Sequence, residues 1–133
     1  DAIVIGSGAG MSVDSGLGTF RGERAHIWEG ARKEGYDYGE MCQTAWFEKD
    51  PRWAWGFWNF YYNAYQEARP HAGYTLVKSW ITATPFGGFC FTSNIDSHWA
   101  ASGWEEDRIL EIHGALKWLQ CSRPCCHDIW QAP

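Results

Sequence analysis

The spacing of apolar residues changes several times along the chain, and each change predicts an element. Ala2-Ile3-Val4-Ile5 is a short apolar run that predicts a buried strand. It breaks into Gly6-Ser7-Gly8-Ala9-Gly10 and resumes with Met11 and Val13, the pattern of a strand, a tight loop and a helix start. From Glu23 to Gln43 no period holds, which predicts a loop with at most short helices. Asp50-Pro51 is a helix start, with Asp as N-cap and Pro at the first helical position. That helix is expected to run to about Ala68, before Pro70. Trp53, Phe57, Phe60, Tyr61 and Tyr65 fall near one face, and Trp55, Trp58 and Tyr62 widen the stripe. The stripe predicts burial on several sides; rings that line a channel or a partner surface remain an alternative. Arg69-Pro70-His71-Ala72-Gly73 opens a second helix through Leu76, Val77 and Trp80, with His71 in a structural role. Gly88-Phe89-Cys90-Phe91-Thr92 predicts a buried parallel strand, Ser97 to Gly103 a short helix, and Arg108 to Ile112 a further strand. Strand, glycine loop, helices, strand, helix, strand gives an α/β fold with a doubly wound parallel sheet.

Composition narrows the function classes. With 133 residues the chain forms one domain at most, and ten Trp, seven Phe and six Tyr supply enough apolar area for a core. The formal net charge of −5, with no basic run or stripe, excludes nucleic acid as a direct partner. No apolar stretch reaches the length of a membrane span, and no secretory signal is visible. The five cysteines are an odd count, which points to reduced thiols and an intracellular location, cytoplasmic or nuclear. Both ends read as cut, since the chain lacks a starting Met, opens on a strand and stops just after a cysteine cluster.

Three stretches carry candidate chemistry. A strand that turns through glycines into a helix directs backbone N–H groups at one spot, which suits a phosphate. Ser93-Asn94-Ile95-Asp96 and His113-Gly114 each follow a predicted parallel strand, at the carboxyl edge where ligands bind in open α/β sheets.

Gly8-Ala9-Gly10-Met11-Ser12 through Ser15-Gly16, then Phe20-Arg21-Gly22, resembles the first signature of the sirtuins, the NAD-dependent protein deacylases. Thr92-Ser93-Asn94-Ile95-Asp96 resembles their second motif, and Glu111-Ile112-His113-Gly114 with Leu119-Gln120-Cys121 their catalytic histidine segment. The Thr-Ser-Asn and Leu-Gln-Cys strings are similar to those of a divergent sub-branch. The resemblance implies a Rossmann-like sheet, incomplete here, over residues 1–120, with the start of a small zinc-knuckle subdomain at 121–133. It also implies NAD as cosubstrate and an acylated protein lysine as partner. On these terms the backbone of Gly8, Ala9 and Gly10 holds the pyrophosphate, while Ser15, Thr19 and Ser93 join the cofactor contacts. Asp96 and the Ile95 backbone hold the nicotinamide carboxamide, and Asn94 lies against the ribose and an ordered water. Phe20 shields the reacting face of the sugar, and Arg21 steadies the loop and the phosphates. His113 is the base for a ribose hydroxyl, a role that suits imidazole because it can take up a proton at cellular pH. His98 and His26 are expected to be structural.

Cys121 and Cys125 resemble the first half of the sirtuin zinc knuckle, though with three residues between them where the family has two. Cys126 and His127 are poorly suited as substitutes, because adjacent residues bite one metal badly. Gly18 stands where sirtuins commonly have Pro, Thr19 where many have Asp, Ser93 where they have Gln, and Ser97-His98 where they have Gly-Leu. The family's later Phe-Gly-Glu and Gly-Thr-Ser segments do not occur in the chain. The expected reaction is lysine deacylation. NAD hydrolysis or ADP-ribosyl transfer on the same site is an alternative, and so is a non-catalytic module that binds NAD or ADP-ribose.

Overall fold

The opening apolar run forms β1 (Ile3–Ser7), which pairs in parallel with β2 (Gly88–Thr92) in the register Ile5↔Cys90 and Ser7↔Thr92. β2 pairs in parallel with β3 (Ile109–Glu111), giving the sheet order β1-β2-β3. A computed structural model describes residues 1–21, 26–123 and 125–133, so Gly22 and the start of the expected loop at 23–25 lie outside the described residues.

Four helices in sequence follow the glycine loop: α1 (Glu29–Lys33), α2 (Tyr38–Met41), α3 (Trp46–Lys49) and α4 (Pro51–Glu67). The first two are the short helices expected in an aperiodic stretch. α2 is set by a capping box, in which Asp37 Oδ1 accepts from Glu40 N–H and Glu40 Oε2 from Asp37 N–H, both at 2.8 Å. α4 starts as predicted, with Asp50 Oδ1 accepting from Trp53 N–H at 3.1 Å and Pro51 inside the first turn. It ends where Ala68 turns extended before Arg69-Pro70. Its inner face buries Ala54, Phe57 and Tyr61, and Ala31 and Met41 join Phe57 and Tyr61 in one cluster. Complete burial of Phe57 stabilises the fold by about 2 kcal/mol. The expectation of burial on several sides is corrected at Trp55, which stays 51% exposed. It stands outside that cluster, with its ring edge to face against Phe47 of α3 at 5.1 Å.

α5 (Ala72–Thr82) is capped by His71, whose Nδ1 accepts from Gly73 N–H at 3.0 Å while Nε2 donates to the Met11 carbonyl at 2.8 Å. That pair of bonds fixes the tautomer and ties α5 to the glycine loop. Tyr74, Val77 and Ile81 of α5 pack with Trp99 and Trp104 against Ile5, Cys90 and Ile109 on one face of the sheet. The opposite face differs from expectation. Val4, Phe91 and Leu110 are 73%, 45% and 46% exposed, because strand alternation sends them to the side that no described helix covers. β1 and β2 are therefore buried on one side only.

After β2 comes α6 (His98–Ala101), shorter than the expected 97–103. β4 (Trp118–Gln120) and β5 (Ile129–Gln131), an antiparallel pair set apart from the main sheet, are absent from the expected elements. Among the described residues no helix is long and apolar enough to cross a membrane.

Candidate active site

β1 delivers the chain to Gly8, whose extended backbone (φ −144°) opens a 3-10 turn over Ala9–Ser15. A Cβ on Gly8 would stand 3.3 Å from Ser93 Oγ, so the absence of a side chain lets the loop lie against the end of β2. A Cβ on Gly10 would meet nothing within 4 Å. The space beside Gly10 is open, as a pyrophosphate on the loop backbone requires. The carboxyl ends of β1 and β2 are joined directly: Ser7 Oγ donates to Thr92 Oγ1 at 2.8 Å, and Ser93 N–H donates to the Ser7 carbonyl at 3.1 Å.

Ala9, Phe20, Asn94, Ile95 and Asp96 line one crevice, with Ser12 and Tyr65 beside them. The first five were expected there from the sequence; Ser12 and Tyr65 were not. Phe20 is held from behind by Tyr38 of α2, with ring centroids 4.4 Å apart. Ser12, 3% exposed, is the centre of a buried hydrogen-bond network. Its hydroxyl donates to Asp96 Oδ2, accepts from Asn94 Nδ2 at 3.1 Å and lies 3.0 Å from Tyr74 Oη. Asp96 Oδ1 accepts from His98 N–H at 2.9 Å, so both carboxylate oxygens are anchored. Asn94 is 3% exposed and its Oδ1 is without a hydrogen-bond partner among the described residues. A buried acceptor without a partner, on a residue that lines the crevice, fits an ordered water or a bound hydroxyl as its partner.

His113 follows β3, on the carboxyl edge of the sheet, and Gly114 (φ 73°) turns the chain away immediately after it. The Nδ1 of His113 lies 3.1 Å from the Ser93 carbonyl. A carbonyl only accepts, so Nδ1 is the donor, and in the neutral tautomer that this bond selects Nε2 presents the lone pair a general base needs. Leu116 N–H donates to the Ile95 carbonyl at 2.9 Å, which ties the segment after His113 to the Asn94–Asp96 loop. A cavity of about 510 Å³ on the far side of that loop shares Tyr65, Ile95 and Asp96 with the crevice.

The remaining expected cofactor residues lie close by with other partners. Ser15 Oγ accepts from His71 N–H at 3.1 Å, Thr19 Oγ1 donates to the Arg21 carbonyl at 2.8 Å, and Arg21 is exposed. His98 is 2% exposed in the core, with neither ring nitrogen hydrogen-bonded among the described residues. Burial pushes its pKa below the ordinary histidine value, aided by His71 and Arg69 and opposed by Asp96. It is a neutral core residue. Burial also pushes the Glu111 carboxyl up from its ordinary value.

The β4–β5 hairpin gathers a second site. Cys121, Cys125 and Cys126 have their Sγ atoms within 4.8 Å of one another. Two of the separations, Cys121–Cys126 and Cys125–Cys126, are 3.9 Å. Tetrahedral zinc with bonds of about 2.3 Å spaces its thiolates by roughly 3.8 Å, so the set fits three of four zinc ligands. Cys126, expected to be a poor substitute because it adjoins Cys125, has its Sγ beside those of both expected ligands.

The Sir2 family model matches residues 8–132, a span that takes in the glycine loop, the Asn94–Asp96 loop, His113 and the cysteine hairpin. The chain belongs to the Sir2 family. The NAD-dependent protein deacylase 2 of Pseudomonas aeruginosa is 31% identical over 121 residues, covering 91% of this chain and 46% of that protein. Among solved structures, a mutant Sir2 homologue in complex with 2′-O-acetyl ADP-ribose superposes with a TM-score of 0.79 at 23% identity, over 99% of this chain and 49% of the other. A Sir2–p53 peptide–NAD+ structure has a TM-score of 0.70 at 20% identity, over 98% of this chain and 46% of the other. At those identities the two structures speak for the fold, the Rossmann-like sheet of Sir2 proteins. This Sir2 chain spans about half the length of the curated relatives it matches.

Proposed function

We propose that this Sir2 chain provides the NAD-binding and proton-transfer residues of a protein-lysine deacylase. The observation that carries the reading is the crevice under the glycine loop. There Asn94 and Asp96 are locked by Ser12 with Asn94 Oδ1 unpartnered among the described residues, and His113 stands on the same sheet edge with Nδ1 against the Ser93 carbonyl. The name of the Pseudomonas relative supports the same activity.

The residues fit NAD. The backbone of Gly8, Ala9 and Gly10, open beside Gly10, would hold the pyrophosphate, with Arg21, Thr19 and Ser15 on the segment that follows. Asp96 and the Ile95 backbone would hold the carboxamide, Asn94 and Ser93 would face the ribose, and Phe20 would cover it. When bound, NAD supplies a ribose carbon with nicotinamide as its leaving group, and its ribose becomes the acyl acceptor. The protein's part is to exclude water with Phe20, to fix the sugar through Asn94, and to take a hydroxyl proton on His113 Nε2. Residues 1–120 would form the nucleotide-binding part and 121–133 the start of a zinc subdomain, where Cys121, Cys125 and Cys126 would hold the ion. The partner is an acylated lysine of a protein.

The test incubates the full-length protein with NAD and an acetyl-lysine peptide and separates the products by mass. O-acyl-ADP-ribose formed only with peptide is the expected product, and His113→Ala should lower its rate by about 10²–10⁴-fold while NAD still binds. Turnover that survives the substitution sinks the deacylase reading. Free ADP-ribose formed without peptide replaces it with NAD hydrolysis.

A further inference from the structure

The Ser12 network contains one member that touches neither the crevice nor any atom expected to meet NAD. Tyr74 lies in α5, fully buried, with its ring packed edge to face against Trp99 at 4.7 Å, His71 at 5.0 Å and His98 at 5.6 Å. Those contacts account for the ring. They do not account for the hydroxyl, which lies 3.0 Å from Ser12 Oγ, far along the sequence in the glycine-loop turn.

The direction of that bond follows from the charges around it. A hydroxyl has one proton to give and two lone pairs. Asp96 can only accept when ionised, so the Ser12 proton goes to Asp96 Oδ2. The two Ser12 lone pairs then take Asn94 Nδ2–H and Tyr74 Oη–H. Burial pushes the Tyr74 phenol well above its ordinary value, which keeps the donor proton in place. The orientation of Asn94 is a consequence: its NH₂ faces Ser12, and Oδ1 is left without a partner among the described residues. A flipped amide would set a carbonyl oxygen against a serine oxygen whose only proton is already committed.

We propose that Tyr74 is a positioning residue for the nucleotide site: by donating to Ser12 it fixes the serine rotor, and through it the Asp96 carboxylate and the Asn94 amide. The inference rests on the NAD reading above and extends it to a residue in the helical layer. Loss of the phenol leaves Ser12 with an unfilled lone pair in a closed site. The serine is then held by Asp96 and Asn94 alone, and the angle at which it presents both is less sharply fixed.

Tyr74→Phe keeps the ring packing and removes only the donor. Calorimetry on the full-length protein would compare NAD with ADP-ribose, which lacks the nicotinamide that Asp96 would hold. The expected result is an NAD Kd raised about tenfold, the factor carried by one net hydrogen bond, with ADP-ribose, which keeps the ribose that Asn94 would face, weakened by only about threefold. A cycle with Ser12→Ala separates positioning from general support: S12A/Y74F should bind NAD no more weakly than S12A alone. NAD affinity that is unchanged in Y74F overturns the inference. So does an equal loss for both ligands, or a double variant in which the two losses multiply. Wild-type protein that binds neither ligand overturns the nucleotide reading itself, a result distinct from a Y74F variant that matches wild type.

Discussion

Ser97 adopts a left-handed backbone (φ 57°), the one positive φ outside glycine among the described residues. An L-residue there costs about 1–2 kcal/mol, and the Ser97 hydroxyl is buried with no hydrogen-bond partner among the described residues. Ser97→Gly removes both penalties at an entropic cost of roughly 0.5–1 kcal/mol. We expect it to stabilise the fold by about 1 kcal/mol, read from the midpoint of urea unfolding. A loss of stability would show that the hydroxyl is anchored, with Glu111 as the nearby acceptor. At this scale the sequence was partly legible. Asn94, Asp96, Phe20 and His113 are recognisable because each belongs to a contiguous string with its own signature. Ser12 lay inside such a string yet was not singled out, because nothing in a linear sequence shows that one hydroxyl meets Asn94, Asp96 and Tyr74 at once. Those contacts join residues from the glycine loop, α5 and the end of β2.

Among the elements, α4, α5, β2 and β3 were legible because each has a local cause: an N-cap followed by proline, a proline stop, or a β-rich run bounded by glycine and polar residues. The β4–β5 hairpin has none. Its strands are three residues each and largely exposed, so no alternation marks them; their pairing is defined by each other and by what lies between. That intervening segment brings Cys121, Cys125 and Cys126 together, and their neighbouring thiols work against one another. The hydrogen bond to Cys125 is the largest cause pushing Cys121 up to about 11, while Cys125 is lowered. A divalent cation would relieve this by binding all three as thiolates. The reduced protein is expected to bind one zinc, and Cys126→Ser should weaken that binding at least about tenfold in competition with a chromophoric chelator. Equal affinity in the variant would return Cys126 to the role of a bystander.

For the molecule as a whole, the main consequence of the topology is an asymmetric sheet. Parallel sheets are ordinarily covered on both faces. Here Ile5, Cys90 and Ile109 face α5 and the Trp99–Trp104 pair, whereas Val4, Phe91, Leu110 and Ile112 remain exposed. The apolar character of β1 and β2 suggested burial on both sides; the strand period decides which residues share a face, and packing decides which face is covered. An uncovered stripe of this kind is contiguous, because Phe91 pairs with Leu110 across β2 and β3 while Val4 lies in register with Phe89. Contiguous apolar surface of this sort binds hydrophobic dyes and drives association. The 133-residue chain on its own should therefore raise the fluorescence of an anilinonaphthalene dye while keeping native helical circular dichroism. Val4→Thr with Leu110→Thr puts a β-branched residue of the kind strands favour at both positions and adds a hydroxyl to each. The pair should lower the dye signal by about twofold, because the stripe is broken at both of its edge strands while the buried face is untouched. If the signal is unchanged, the dye is reading some other surface, and the exposed outer residues of α5, Leu76 and Trp80, become the patch to vary next.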